Sequence, residues 1–334
     1  MNSKSAKLLF LFLMLATSAI AQVKTQPTHI IVAQDGSGTF KTIQEAVNAV
    51  RDHSQVRVVI TVKAGTYREK LVIPAWKKNI ALVGESREKT IITGNDFSGK
   101  EFPTKDFTGN PKYSTYTSYV VLVQGNDCSL ENFTIENTAG RVGQAVALSV
   151  ESDRFVARNC SILGNQDTLY TSKDGRNYFQ NCLITGTTDF IFGEATVVFQ
   201  DCTIKSLVNS YITAASTTPE QAFGYVFFDC KLIAEDGVNQ VYLGRPWRPW
   251  ARTVFIRTEM GKHIIPVGWH AWPGDPMFPD KDKTAYYAEF ESRGPGANTA
   301  GRVAWSKQLT KNEVKKYTLK NIFGNWDPLQ RTIN

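Results

Sequence analysis

The sequence predicts an all-β fold, a single-stranded parallel β-helix with an N-terminal capping helix and a short C-terminal helix. Three observations carry this. Cys128, Cys160, Cys182, Cys202 and Cys230 each follow Asn or Asp and precede Leu or Ile by two positions, at intervals of 32, 22, 20 and 28 residues. A unit recurring at that period with variable insertions marks a solenoid or propeller, and short strands with alternating side chains favour stacked coils. Two of the units are near copies, Cys160 to Asp167 and Cys182 to Asp189, both reading Cys-x-Ile-x-Gly-x-x-Asp. Finally, a capping-box pattern stands near each end of the chain, where a solenoid needs its exposed terminal coils covered.

In chain order, Lys4 and Lys7 precede the apolar run Leu8 to Leu15, and Ala19-Ile20-Ala21 follows as a small-x-small cleavage signal. Residues 1–21 therefore read as an export signal cut near Ala21/Gln22. The apolar run is too short to span a bilayer, and no later segment is apolar enough to do so. Residues 22–334 read as one domain, because no linker rich in Pro, Gly or Ser divides them. Thr42-Ile43-Gln44-Glu45 opens the N-terminal helix, with Ile43, Ala46, Val47 and Val50 on its apolar face. Each coil then pairs its backbone with the coils above and below, about 4.8 Å away, so equivalent residues form columns. The cysteines read as one inward column of small buried groups rather than as disulfides or metal ligands. Thr310-Lys311-Asn312-Glu313 opens the short helix that closes the other end. A solenoid capped at both ends is expected to be a monomer.

Composition excludes several function classes. The formal charge of +7 falls to +5 without Lys4 and Lys7, which suits an anionic partner. No Lys/Arg run or recognisable nucleic-acid module is present, so nucleic acid is not the expected partner. His29, His53, His263 and His270 are scattered, and no CxxC, HExxH or GxSxG motif occurs. No metal, no cofactor and no Ser-His-Asp chemistry is expected.

The near-copied coils carry the chemistry. If 22 residues make one coil, Asp167 and Asp189 are stacked about one strand spacing apart. Two carboxyls at about 5 Å do not both ionise cheaply, so one holds a proton while the other is a nucleophile. The alternative is a structural Asp ladder satisfying turn amides. Counting on from Cys202 reaches Asn209, so the acid belongs to two coils only. Gln144 precedes Gln166 by the same 22 residues, which would set Gln144, then Gln166 with Asp167, then Asp189 on one face.

Around these residues stand Gly65-Thr66-Tyr67-Arg68-Glu69, Gln144-Ala145-Val146-Ala147-Leu148, Gly164-Asn165-Gln166-Asp167-Thr168-Leu169-Tyr170, Asp189-Phe190-Ile191-Phe192-Gly193 and Tyr242-Leu243-Gly244-Arg245-Pro246-Trp247. In this order they resemble the pectin methylesterases, the pectinesterase family of carbohydrate esterases. The resemblance extends from Val32-Ala33-Gln34-Asp35-Gly36-Ser37-Gly38 to Arg302-Val303-Ala304-Trp305. It implies a right-handed parallel β-helix that removes methyl esters from the galacturonate units of pectin. It further implies Asp189 as nucleophile, Asp167 as acid and base, Gln144 and Gln166 as oxyanion donors, and an acyl-enzyme intermediate. Arg245 matches the arginine beside the nucleophile and Trp247 the tryptophan that touches substrate, with Phe192 and Tyr170 expected in the same groove. Trp269 and Trp272 are expected mainly to pack, and Glu69 to be a structural acid at a turn. Plant members often carry an inhibitor-like pro-region; Gln22 leads almost directly into the first motif, which points to a bacterial-type enzyme of the periplasm or exterior. A β-helical glycosidase, a calcium-dependent lyase and a silent sugar-binding protein are the rival readings. The paired Gln donors argue against the first, and no acidic cluster supports the second.

Overall fold

The computed structural model describes residues 27–104 and 109–330. The export-signal reading of residues 1–21 lies outside them. The chain winds through three sheets in turn, and every strand pairing between named strands is parallel. Among the described residues the sheets have eleven, eight and seven strands. One full turn runs through Phe155–Arg158 in the first sheet, Ser161–Leu163 in the second and Leu169–Thr171 in the third. The next turn repeats it at Arg176–Gln180, Leu183–Gly186 and Ile191–Gly193. The fold is the expected parallel β-helix. Its interior is a continuous apolar column in which rings stack coil on coil, Phe179 on Phe199 on Phe227 on Phe255 at 5.2, 4.5 and 4.3 Å.

The corner between the first and second sheets explains why Asn or Asp recurs there. Asn132, Asn159, Asn181, Asp201, Asp229 and Arg257 all have φ between 49° and 61°. Short polar side chains tolerate that left-handed conformation, and each residue then turns its successor inward. The side chains also link, Asn159 Nδ2 donating to Asn132 Oδ1 at 2.7 Å and Asn181 Nδ2 to Asn159 Oδ1 at 3.3 Å.

All five cysteines are free and buried, but they do not form one column. Ser161 pairs with Leu183, Leu183 with Thr203 and Thr203 with Lys231, which stacks Cys160, Cys182, Cys202 and Cys230. Ser161 pairs in the other direction with Thr134, so the residue above Cys160 is Phe133. Cys128 instead leads into the first sheet, at the level of Phe155. The two corners share one device, a left-handed Asn or Asp before an inward residue, and Asp127 has φ 60°. The 32-residue interval therefore joined two different corners.

Helix α1 (Ile43–Ala49) forms with its capping box intact and buries Ile43, Ala46 and Val47. Glu69 is the structural acid expected: its carboxylate accepts from the amides of Ile43 and Gln44 at 3.0 and 2.9 Å, at the positive end of the helix. The C-terminal end differs from expectation. Thr310 and Glu313 exchange both capping bonds, but they open a 3-10 turn, Glu313–Lys316. The α-helix follows as α2 (Leu319–Phe323), capped by Thr318. It lies along the side of the solenoid, with Ile322 and Phe323 in an apolar cluster that includes Tyr178, Val198 and Val226 on the first sheet. Arg176 holds it there, donating to Phe323 O at 2.7 Å. The outer face of this sheet is apolar, so the chain end covers the face rather than the terminal coil.

Candidate active site

The site is built on the third sheet and on the corner that leads into it. Leu169 pairs with Ile191, which stacks Asp167 on Asp189 one coil apart, as the 22-residue repeat requires. Both occupy the left-handed region, at φ 63° and 50°. The glycines of Gly-x-x-Asp have a steric cause. A Cβ on Gly164 would stand 2.6 Å from Thr168 Oγ1, and one on Gly186 would stand 2.1 Å from Phe190 Cβ. Thr168 and Phe190 are fully buried inside each corner, and only glycine lets the chain fold over them while the neighbouring aspartate faces outward.

Gln144 and Gln166 form a parallel bridge above this pair. The equal spacing conceals a bulge. Gln144 pairs with Gln166 but Leu148 pairs with Leu169, so one coil carries an extra residue, and Thr168 O accepts from both Ala147 and Leu148. The bulge turns Val146 onto the outer face, against Phe192 and Ala214. Neither glutamine side-chain amide is held by another protein group among the described residues.

Arg245 reaches Asp189 across 56 residues of sequence. Its Nε and Nη2 donate to Oδ1 and Oδ2 at 3.0 and 2.7 Å, a bidentate ion pair with both side chains largely buried. The register Ala214 to Arg245 places it two coils below Phe192 in the same outward row. The guanidinium lies against the rings of Tyr211 and Trp272, 4.0 and 3.6 Å from their centroids.

The two carboxyls are unequal. Asp167, 9% exposed, is pushed up to about 8 by burial and then by the Asp189 charge, with Arg245 relieving only part. Burial also raises Asp189, but here the two hydrogen bonds and charge of Arg245 oppose it directly. One proton shared between these acids therefore rests on Asp167 near neutral pH.

Aromatic side chains line the surface beside the pair. Tyr116, Tyr170, Phe192 and Trp247 follow one another with centroids 5.3, 4.7 and 6.0 Å apart. Phe192 is only 4% exposed and forms the floor, while Tyr170 and Trp247 are half-buried on either side. Trp269 packs in the core as expected, but Trp272 contacts the site through Arg245. Sequence reasoning also missed Tyr211. It stands 22 residues after Asp189 and takes the next place in the aspartate column, its carbonyl accepting from Asp189 N at 2.9 Å. Counting from Asp189 instead of from Cys202 would have found it, since the coil gains two residues between. Lys281 carried no signal at all. Its fully buried ammonium pairs with Asp275 at 2.8 Å and sits 4.4 Å from the Trp272 ring.

The fold and site thus define a parallel β-helix with a paired-carboxyl centre beside a row of aromatic rings. The family model described as Pectinesterase matches residues 29–325. Pectinesterase 2 of Citrus sinensis is 40% identical over 321 residues, covering 91% of this chain and 59% of that protein. The chain spans about half the length of the curated relatives it matches. Among solved structures it is similar to the pectin methylesterase from carrot, with a TM-score of 0.79 and 38% identity over 88% of this chain and 92% of that one. It is also similar to a pectin methylesterase in complex with a hexasaccharide, with a TM-score of 0.76 and 30% identity over 90% of this chain and 98% of that one. The chain belongs to the pectinesterase family. No helix among the described residues is long and apolar enough to cross a membrane.

Proposed function

We propose that this protein is an exported pectin methylesterase, which hydrolyses galacturonate methyl esters to the free acid and methanol. The observation that carries the reading is the inequality of the acid pair: Asp189 is bound at both oxygens by Arg245, while Asp167 has no ion pair among the described residues. That arrangement suits one ionised nucleophile and one protonated acid at the same pH. An Asp189 oxygen attacks the ester carbonyl, and the carbonyl oxygen takes the charge under the amides of Gln144 and Gln166. The C–O bond to the methoxy group breaks as Asp167 gives its proton to the departing oxygen, leaving methanol and a mixed anhydride on Asp189. Asp167, now a base, takes a proton from water, and the hydroxide opens the anhydride. The product acid leaves and Asp167 is protonated again.

Tyr170 and Trp247 offer ring faces to the apolar faces of sugars, and one related pectin methylesterase is in complex with a hexasaccharide. Cleavage near Ala21/Gln22 would deliver residues 22–334 to the periplasm or exterior as one monomeric catalytic domain, without metal or cofactor. The test is methanol release from highly methylated pectin, run beside acetyl release from an acetylated pectin and an assay for new reducing ends. Methanol alone is expected. New reducing ends without methanol would replace the esterase by a glycosidase, and acetyl release without methanol would change the substrate.

A further inference from the structure

We propose that Lys281 is a positioning residue for the Arg245–Asp189 pair: its buried ammonium, clamped by Asp275, holds the Trp272 ring on the guanidinium and adds a second cation behind the Asp189 carboxylate. This rests on the esterase reading above. Full burial of an ammonium is costly, and among the described residues Asp275 provides its ion-pair partner, at 2.8 Å. The return is at the Trp272 ring, which has the Arg245 guanidinium 3.6 Å from its centroid and Lys281 Nζ at 4.4 Å. Trp272 is itself held in an unusual place. Its φ is 58°, disfavoured for so bulky a residue, and its amide donates to His270 Nδ1 at 3.0 Å. The segment from His270 to Lys281 is thus a strap tied at both ends, and its ring closes one side of Arg245 as Tyr211 closes the other. Arg245 cannot swing away from Asp189 without leaving both rings.

Several charged or titratable groups face this arrangement. Asp275 and His270 come from the strap, Arg245 and Arg248 from the end of the third sheet, Asp167, Asp189 and Tyr211 from its corners, and buried Tyr287 from the first sheet. Burial and Arg245 hold His270 below the ordinary histidine range, which leaves its Nδ1 free to accept. Lys281 also lowers Asp189, alongside the larger effect of Arg245. The opposite charge of Asp275, 2.8 Å from the ammonium, takes back part of that effect.

The experiment is the pH dependence of kcat/KM for methanol release. Lys281→Met keeps the apolar stem and removes the charge. It is expected to move the acid limb up by about half a pH unit, roughly threefold slower on that limb. Lys281→Arg should restore the wild-type limb. Asp275→Asn leaves the ammonium uncompensated and should move the limb the other way. A folded Lys281→Met enzyme with an unshifted limb overturns the proposal. So does an upward shift in Asp275→Asn, which would make the pair a mere clasp. If Lys281→Met does not fold, Asp275→Asn decides alone. Wild-type enzyme assayed in parallel separates the two readings: no methanol from wild type refutes the esterase itself, whereas a normal wild type with unmoved limbs refutes only the role of Lys281.

Discussion

Replacing Asp167 by asparagine should stabilise the fold in alkali while removing activity, and the size of the gain follows from its setting. The carboxyl is raised from 3.8 to about 8, chiefly by burial and then by Asp189. Between those values the folded protein keeps a proton that the unfolded chain releases. Stability then falls as pH rises through the window, since the native state binds the additional proton. A raised carboxyl thus contributes most below the unfolded value and costs most above the folded one. A difference of about four units corresponds to an upper bound on the order of 5 kcal/mol, reduced by relaxation and water penetration around the charge. Asparagine has nearly the same shape and does not ionise. The excess of its melting temperature over that of the wild type should therefore widen by several degrees between pH 5 and pH 9, since about 2 to 4 °C per kcal/mol holds for 150–250 residues and somewhat less for a longer chain. Calorimetry of both proteins at the two pH values measures the gap, and methanol release confirms the loss of turnover. A gap that stays constant with pH, or a wild type more stable at pH 9, would refute the assignment of a buried, proton-holding acid to this position.

Three further outcomes are expected. Gln166→Ala should lower kcat for methanol release by on the order of 10² to 10³ with an unchanged circular dichroism spectrum; turnover within tenfold of wild type would remove that amide from the oxyanion role. Arg302→Ala should destabilise the fold by about 3 to 5 kcal/mol in a denaturant titration, because it strands Glu289 in an ion pair with side chains only 3% and 1% exposed. The native protein should not react with a thiol reagent, whereas the denatured, unreduced chain should titrate all five cysteines; fewer than five would mean a disulfide.

Much of this site was legible in the sequence because a β-helix turns contacts between coils into a period. Asp167 and Asp189 share one corner, glycine and interior residue in each copy, so their stacking is written in the spacing. The same holds for the Asn and Asp corners and for the capping box of α1, whose partners lie three residues apart. The period failed where two places in a coil use the same local device. Cys128 and Cys160 both follow a left-handed polar residue, and only backbone pairing separates the two corners. It also failed at the bulge below Gln144, which leaves the interval of 22 unchanged.

By itself, then, the sequence determined the solenoid, the acid pair and the residues stacked around it, since each depends on turn conformation and a repeated length. The tertiary structure alone decided that Arg245 grips Asp189 at both oxygens, that Trp272 and Tyr211 enclose the guanidinium, and that Lys281 is buried behind them. Those contacts join residues through loops of irregular length, where no periodicity records which side chains meet. The energetic balance at the site, burial against ion pairing, exists only once those side chains share one enclosed space.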